Sequence, residues 1–295
     1  VYTQMLNDRG GIEADITVTR LAADKFFIVS PGACGVRDFD YINRHIGKDD
    51  FVTLTEVTSG YTMLAVMGPK SRELLQTLTD ADLSNEAFPF ATAQEIDIAY
   101  ARPLAIRMSF VGELGWELYI PTEFSNNVFD ALMKAGETFD LKLVGLHALD
   151  SLRLEKGYKH WSADITPDNT PFESGLGFCV SMQKGNFLGR DALAQQKASG
   201  LQRKLVMFSI EDPEPLAYHD EPIYRDGVLV SENTHGAYSH VLGCSIGMCY
   251  LKNAEGLTDA WIMEGSYEIN VAGTLFPIKI HLEPVYDPKS ERVRM

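Results

Sequence analysis

Several protein classes are excluded by what this sequence has little of. Cysteine occurs four times in 295 residues, at Cys34, Cys179, Cys244 and Cys249, and never as Cys-x-x-Cys. That usage speaks against a zinc site or a disulfide frame. It fits small apolar side chains in a reducing compartment, the cytoplasm or, in a eukaryote, the mitochondrial matrix. The seven histidines show no His-x-x-x-His or similar spacing, so no metal site is expected. Basic residues are outnumbered, 26 Lys and Arg against 41 Asp and Glu, a formal net charge of −15. A nucleic-acid partner is therefore not expected, because phosphate binding needs a basic face. No apolar run approaches the roughly 20 residues of a membrane span. No Gly-x-Gly-x-x-Gly follows a strand, so the residues carry no dinucleotide fingerprint. Internal repeats, low-complexity tracts and signal peptide are absent, and so is an initiator methionine. The chain opens at Val1 directly in a strand-like segment and reads as the remainder of a longer product.

What is present suffices for a sizeable core in one large or two to three smaller domains. Residues 1–30 read as two strands joined by Asn7-Asp8-Arg9-Gly10-Gly11, then a third strand from Phe26 to Val29. A helix is expected over 36–46 with Phe39, Ile42 and Ile46 on one stripe. Then come a strand over 61–67, a helix after Gly68-Pro69, and strands over 96–99 and 104–108. After the strand that ends at Pro121, Thr122 is expected to cap a helix to about Ala135, and a further helix over 144–156 to stop at Gly157. Within that last helix, Arg153, Glu155 and Lys156 read as structural ion-pairing residues. A polar helix ends near Gly200. From Arg203 onward the pattern is all strands, with Asp226-Gly227 a hairpin signal, which indicates a small antiparallel barrel or sandwich. The alternation without tight parallel strand–helix–strand units indicates an α+β chain of mixed antiparallel sheets and helices. Residues 1–200 read as one region and 201–295 as a C-terminal antiparallel β-barrel.

Two stretches carry the chemistry. Ser109-Phe110-Val111-Gly112-Glu113-Leu114-Gly115-Trp116-Glu117-Leu118-Tyr119-Ile120 is a turn between strands, in which Gly112 and Gly115 let the backbone come close to a ligand. Glu117 stands where the second strand begins. A carboxylate there can accept from two neighbouring N–H donors of a flat heterocycle, although solvated glutamates on a surface hairpin have the same pattern. In the opening stretch, alternation sets Asp15 on the face opposite Ala14 and Ile16, where a solvated strand residue is the ordinary reading.

Together with Val66-Met67-Gly68-Pro69-Lys70-Ser71-Arg72, the run from Asp150 to Tyr158, the run from Thr170 to Phe178 and Tyr286-Asp287-Pro288-Lys289, these stretches resemble the folate-binding aminomethyltransferase (glycine cleavage T-protein) family. The resemblance is strongest to its version at the C-terminal end of dimethylglycine and sarcosine dehydrogenases. It implies a multi-domain aminomethyltransferase-type fold, N-terminally incomplete here, and tetrahydrofolate as cofactor. FAD is implied only if a missing N-terminal dehydrogenase domain exists. It implies Asp15 as the catalytic residue beside the reacting part of the folate, and Glu117, Phe110, Val29, Gly112 and Tyr2 as cofactor-binding residues. The implied partners are a small methylated amine or amino acid and a flavoprotein dehydrogenase domain or subunit, with no membrane.

The sequence departs from the family at three points. Phe110 stands where many relatives have a tyrosine, Pro31 where glycine cleavage T-proteins have an asparagine, and Leu149 where they have an arginine. Three functions stay open at this point. They are the folate-dependent one-carbon transfer region of a dehydrogenase, a free-standing aminomethyl- or methyltransferase, and a non-catalytic folate-binding domain.

Overall fold

The computed structural model describes residues 1–295. The chain forms two compact units that do not follow chain order: one contains residues 1–42 and 150–288, the other residues 43–149 and 289–295.

The first unit opens with strands β1 (Tyr2–Leu6), β2 (Ile12–Ala22) and β3 (Lys25–Val29), an antiparallel sheet in that order, followed by helix α1 (Gly35–His45). The turn between β1 and β2 is built by Asn7, whose Oδ1 accepts from the N–H groups of Arg9 and Gly11 at 3.0 and 2.9 Å. Gly11 is required there, because a Cβ would lie 1.8 Å from the Pro167 carbonyl oxygen. The stripe of Phe39, Ile42 and Ile46 is half-buried, and the buried residue of α1 is Asp38.

The second unit contains β4 (Tyr61–Met67), α2 (Ser71–Gln76), β5 (Ala93–Glu95), β6 (Leu104–Ile106), β7 (Gly115–Pro121) and α3 (Ser125–Gly136). Its antiparallel sheet runs β4-β7-β6-β5. Trp116, Leu118 and Ile120 alternate onto one face of β7 and pack with Leu74, Leu75, Val128 and Leu132. Burying each such side chain contributes about 1.5–3 kcal/mol, so this face fixes which way β7 points. The strand expected over 96–99 is not formed. Ala99 and Tyr100 take positive φ, 49° and 67°, and turn the chain so that Ile98 bridges only to Ala101. Thr122 does not cap α3: its hydroxyl donates to the Ser59 carbonyl oxygen, and a turn of 3-10 helix leads into α3 instead.

The chain returns to the first unit through α4 (Leu146–Glu155). Gly157, at φ +72°, ends α4: its N–H donates to the Leu154 carbonyl at 2.8 Å and the Tyr158 N–H to that of Arg153 at 2.9 Å. That pair of bonds is the left-handed glycine cap expected from the sequence. After α5 (Arg190–Ser199) come β8 (Arg203–Ile210), β9 (Pro222–Arg225), β10 (Val228–Ser239) and β11 (Cys244–Lys252). Helix α6 (Asp259–Glu264) and strands β12 (Tyr267–Val271) and β13 (Thr274–His281) complete the unit. The strands close into a six-stranded antiparallel barrel ordered β10-β11-β8-β13-β12-β9. β8 is buried on both faces: Val206, Phe208 and Ile210 fill the barrel, while Leu205 and Met207 pack with Leu154 of α4. Gly247, paired with Phe208, leaves room for its ring, whose Cζ would lie 2.3 Å from a Cβ. The expectation of strands only after Arg203 fails at α6. Thr258 caps that helix by accepting from the Trp261 N–H at 3.1 Å.

Candidate functional site

In the first unit, cross-strand register assembles a polar row on β1–β3. Gln4 pairs with Asp15, and both Tyr2 and Val29 pair with Thr17. Paired residues and those two apart share a face. Tyr2, Gln4, Asp15, Thr17 and Val29 therefore lie together, opposite buried Ala14 and Ile16. Asp15 is half-buried, not a solvated strand residue. Its Oδ1 accepts from Gln4 Nε2 at 3.0 Å. Burial raises its pKa above the usual carboxylate value, and hydrogen bonding from Gln4 and Tyr2, with the charge of Lys159, pulls it partly back. Lys159 is in turn lowered by burial and supported by Asp164, Asp15 and Cys179. The Cys179 thiol is pushed up to about 11 by burial, and the Tyr2 phenol rises for the same reason and through its proximity to Asp15. The exposed Phe178 ring stacks on Tyr2 with centroids 6.1 Å apart. Asp15 thus sits among groups that can donate, accept and hold a proton.

In the second unit, Glu117 and Tyr119 lie on the face of β7 opposite Trp116 and Leu118. Glu117 is half-buried between Ala65 of β4 and Ile106 of β6. Its one hydrogen bond within the protein comes from the Tyr119 hydroxyl to Oε2, at 2.7 Å. Burial raises its pKa and the Tyr119 bond opposes the rise. The loop before β7 is shaped by Ser109, whose Oγ accepts from the Val111 and Glu113 N–H groups at 3.3 and 3.2 Å. Gly112 is buried there at φ +77°, and Phe110 is half-buried. At Gly115 a Cβ would lie 2.7 Å from the Val66 carbonyl oxygen, so the glycine permits close approach to β4.

Tyr2, Asp15 and Val29 are thus brought together in one unit, while Phe110, Gly112 and Glu117 belong to the other. Gln4, Lys159, Cys179 and Tyr119 were not anticipated. Gln4 and Tyr119 each stand two residues from a named strand residue and were readable from alternation. Lys159 and Cys179 come from distant chain and leave no local signal.

A third cluster centres on Asp164. Asp164, fully buried, accepts from Arg153, from the His160 N–H at 2.9 Å and from the Thr234 hydroxyl at 2.7 Å. Lys156 pairs with Asp287 at 3.0 Å, and Glu155 accepts from the Ser239 hydroxyl at 2.8 Å and the Val241 N–H at 3.1 Å. Arg153, Glu155 and Lys156 fasten α4 in place.

Comparison with known proteins agrees with this architecture. The GCVT N-terminal domain matches residues 1–184, and the glycine cleavage T-protein C-terminal barrel domain matches residues 203–287. The chain belongs to the glycine cleavage T-protein family. Its fold is that of the glycine cleavage system aminomethyltransferase T from Bartonella henselae, with a TM-score of 0.82 over 97% of this chain and 76% of that one at 24% identity. Among curated proteins it is 42% identical over 295 residues to the 4-methylaminobutanoate oxidase (formaldehyde-forming) of Paenarthrobacter nicotinovorans, covering 100% of this chain and 35% of the oxidase. It is 37% identical over 311 residues to the mitochondrial sarcosine dehydrogenase of Mus musculus, covering 100% of this chain and 34% of the dehydrogenase. The chain spans about a third of the length of these relatives. It is similar to the C-terminal parts of sarcosine and dimethylglycine dehydrogenases. No helix is long and apolar enough to cross a membrane.

Proposed function

We propose that this chain binds tetrahydrofolate and serves folate-dependent one-carbon transfer, as the folate part of a sarcosine- or dimethylglycine-dehydrogenase-like enzyme acting on a small methylated amine or amino acid. On this reading FAD belongs to a flavoprotein dehydrogenase domain or subunit, and none of the residues described above serves it. Residues 1–200 would handle the folate and residues 201–295 would form the C-terminal barrel region, in a reducing compartment such as the cytoplasm or mitochondrial matrix.

The observation that carries the reading is Glu117. A half-buried carboxylate whose Oε2 takes one protein hydrogen bond, and whose Oε1 takes none, keeps acceptor capacity for an outside donor pair. The edge of a 2-amino-4-oxo pterin offers such a pair, an N3–H beside an exocyclic amine, so the residues present fit the group. Holding an ionisable carboxylate half-buried with one neutral partner costs stability that a ligand with two donors would return. Buried Gly112 and half-buried Phe110 would pack against the ring.

Tetrahydrofolate, when bound, supplies a nucleophilic N5 that accepts a one-carbon unit. Asp15 would act where charge develops. Burial raises its pKa above the ordinary carboxylate value, and Gln4 holds Oδ1 in place. It would take up a proton, or stabilise adjacent positive charge when ionised. Thermal melting with increasing tetrahydrofolate tests the reading, since a ligand of the folded state raises the melting temperature with its concentration. No rise at saturating tetrahydrofolate contradicts it. A rise without one-carbon product from the assembled enzyme identifies a capture domain instead.

A further inference from the structure

The Glu117 carboxylate does not stand alone on its strand. Tyr119, two residues on and therefore on the same face, is only 5% exposed, and its hydroxyl donates to Glu117 Oε2 at 2.7 Å. The residues paired with them are apolar: Ala65 and Ile106 beside Glu117, Met63 and Leu104 beside Tyr119. A phenol seated in that setting has little freedom, because its ring is packed on a pleated surface and its hydroxyl is committed. We propose that Tyr119 is the positioning residue of Glu117: its hydroxyl occupies Oε2, fixes the plane of the carboxylate, and leaves Oε1 presented to the donor edge of the ligand. The inference rests on the reading of Glu117 as a folate-binding residue.

The electrostatics agree. Tyr119 is the one titratable group that bears on Glu117, and its hydrogen bond favours the ionised form against the burial that disfavours it. The reverse holds for the phenol, which burial and then the Glu117 charge push above its ordinary value. Tyr119 is therefore a neutral donor at neutral pH. Its removal leaves the carboxylate with no protein partner, and Glu117 then holds its proton to a higher pH. A ligand edge made of two N–H donors is recognised by the ionised carboxylate, because a protonated one offers fewer acceptor sites.

Tyr119→Phe keeps the ring and deletes only the hydroxyl. Tetrahydrofolate affinity of this variant, measured against pH, should fall about three- to tenfold at neutral pH, and the acid edge of binding should move to higher pH. Loss of packing alone would weaken binding equally at every pH, so an unmoved edge overturns the proposal. The ligand-free protein separates this from the folate reading. With 13C-labelled glutamate carboxyls, the Glu117 titration should move to higher pH in Tyr119→Phe whether or not folate binds. An unchanged titration overturns the proposal, whereas wild-type protein that ignores tetrahydrofolate overturns the folate reading instead. Should Tyr119→Phe fail to fold, 3-fluorotyrosine placed at position 119 is a stronger donor and should move the Glu117 titration to lower pH. No movement there overturns the proposal as well.

Discussion

Asp164 and Glu117 are two carboxylates withdrawn from water on one chain, and their surroundings differ in kind. Asp164 has both oxygens taken by the protein: a guanidinium and a backbone N–H on one, a threonine hydroxyl on the other. Glu117 has one phenolic hydroxyl on one oxygen and nothing from the protein on the other. Closure turns a buried charge into a fastener, since the cost of desolvation is met inside the fold. Incomplete closure leaves more of that cost standing, in line with the raised pKa of Glu117, and leaves an oxygen that can accept from outside the fold. Asp15 lies between the two cases, with Gln4 and Tyr2 around it but its pKa still raised.

The comparison breaks most visibly at the Asp164 cluster. Arg153→Met should destabilise the protein by about 3–5 kcal/mol in denaturant unfolding, because buried Asp164 loses the guanidinium paired directly with it. A loss near zero would mean that closure is not what fastens α4. Asp15→Asn should do the opposite to stability and act on turnover. One-carbon product formation by the assembled enzyme should fall about 10²–10⁴-fold while tetrahydrofolate still binds. The pH dependence of stability follows from the raised pKa. Wild-type protein is favoured while Asp15 is protonated and loses that advantage as pH rises through its folded-state pKa. Asp15→Asn should therefore melt at or above the wild-type temperature at neutral pH, with the difference vanishing in acid. A variant that unfolds more easily at neutral pH places Asp15 with Asp164 instead. The smallest effect is expected at Phe110. Adding a hydroxyl there contributes roughly 0.5–1.5 kcal/mol if it meets a polar partner, so Phe110→Tyr should tighten tetrahydrofolate binding severalfold. A lower melting temperature with no folate response would show that the loop before β7 serves another ligand.

Much of this was legible in the chain. The strand β4 begins and ends where the sequence set it, and Gly157 closes α4 with the bonds its position implied. The errors have local causes. Ala99 and Tyr100 turn the chain with positive φ at residues that carry no glycine signal, so an apolar run reads as a strand that does not form. Helix α6 is six residues long, too short for a periodic pattern, and only Thr258 announces it. In α1 the pattern pointed to Phe39, Ile42 and Ile46, whereas the turn of the helix buries Asp38. At the candidate site, Asp15 and Glu117 stood out through resemblance, and Tyr119 was within reach of simple alternation. Lys159 was not, because burial beside Asp15 is a property of the folded chain.

The central claim is that the open oxygen of Glu117 faces a pterin, and calorimetric titration of tetrahydrofolate into wild-type and Glu117→Gln protein tests it most directly. Glutamine keeps the shape and one acceptor but loses the charge. A charge-assisted hydrogen bond is worth about 1.5–3 kcal/mol, so the account predicts saturable binding to wild type and affinity about ten- to a hundredfold weaker in the variant. Equal affinity in the two proteins would contradict it.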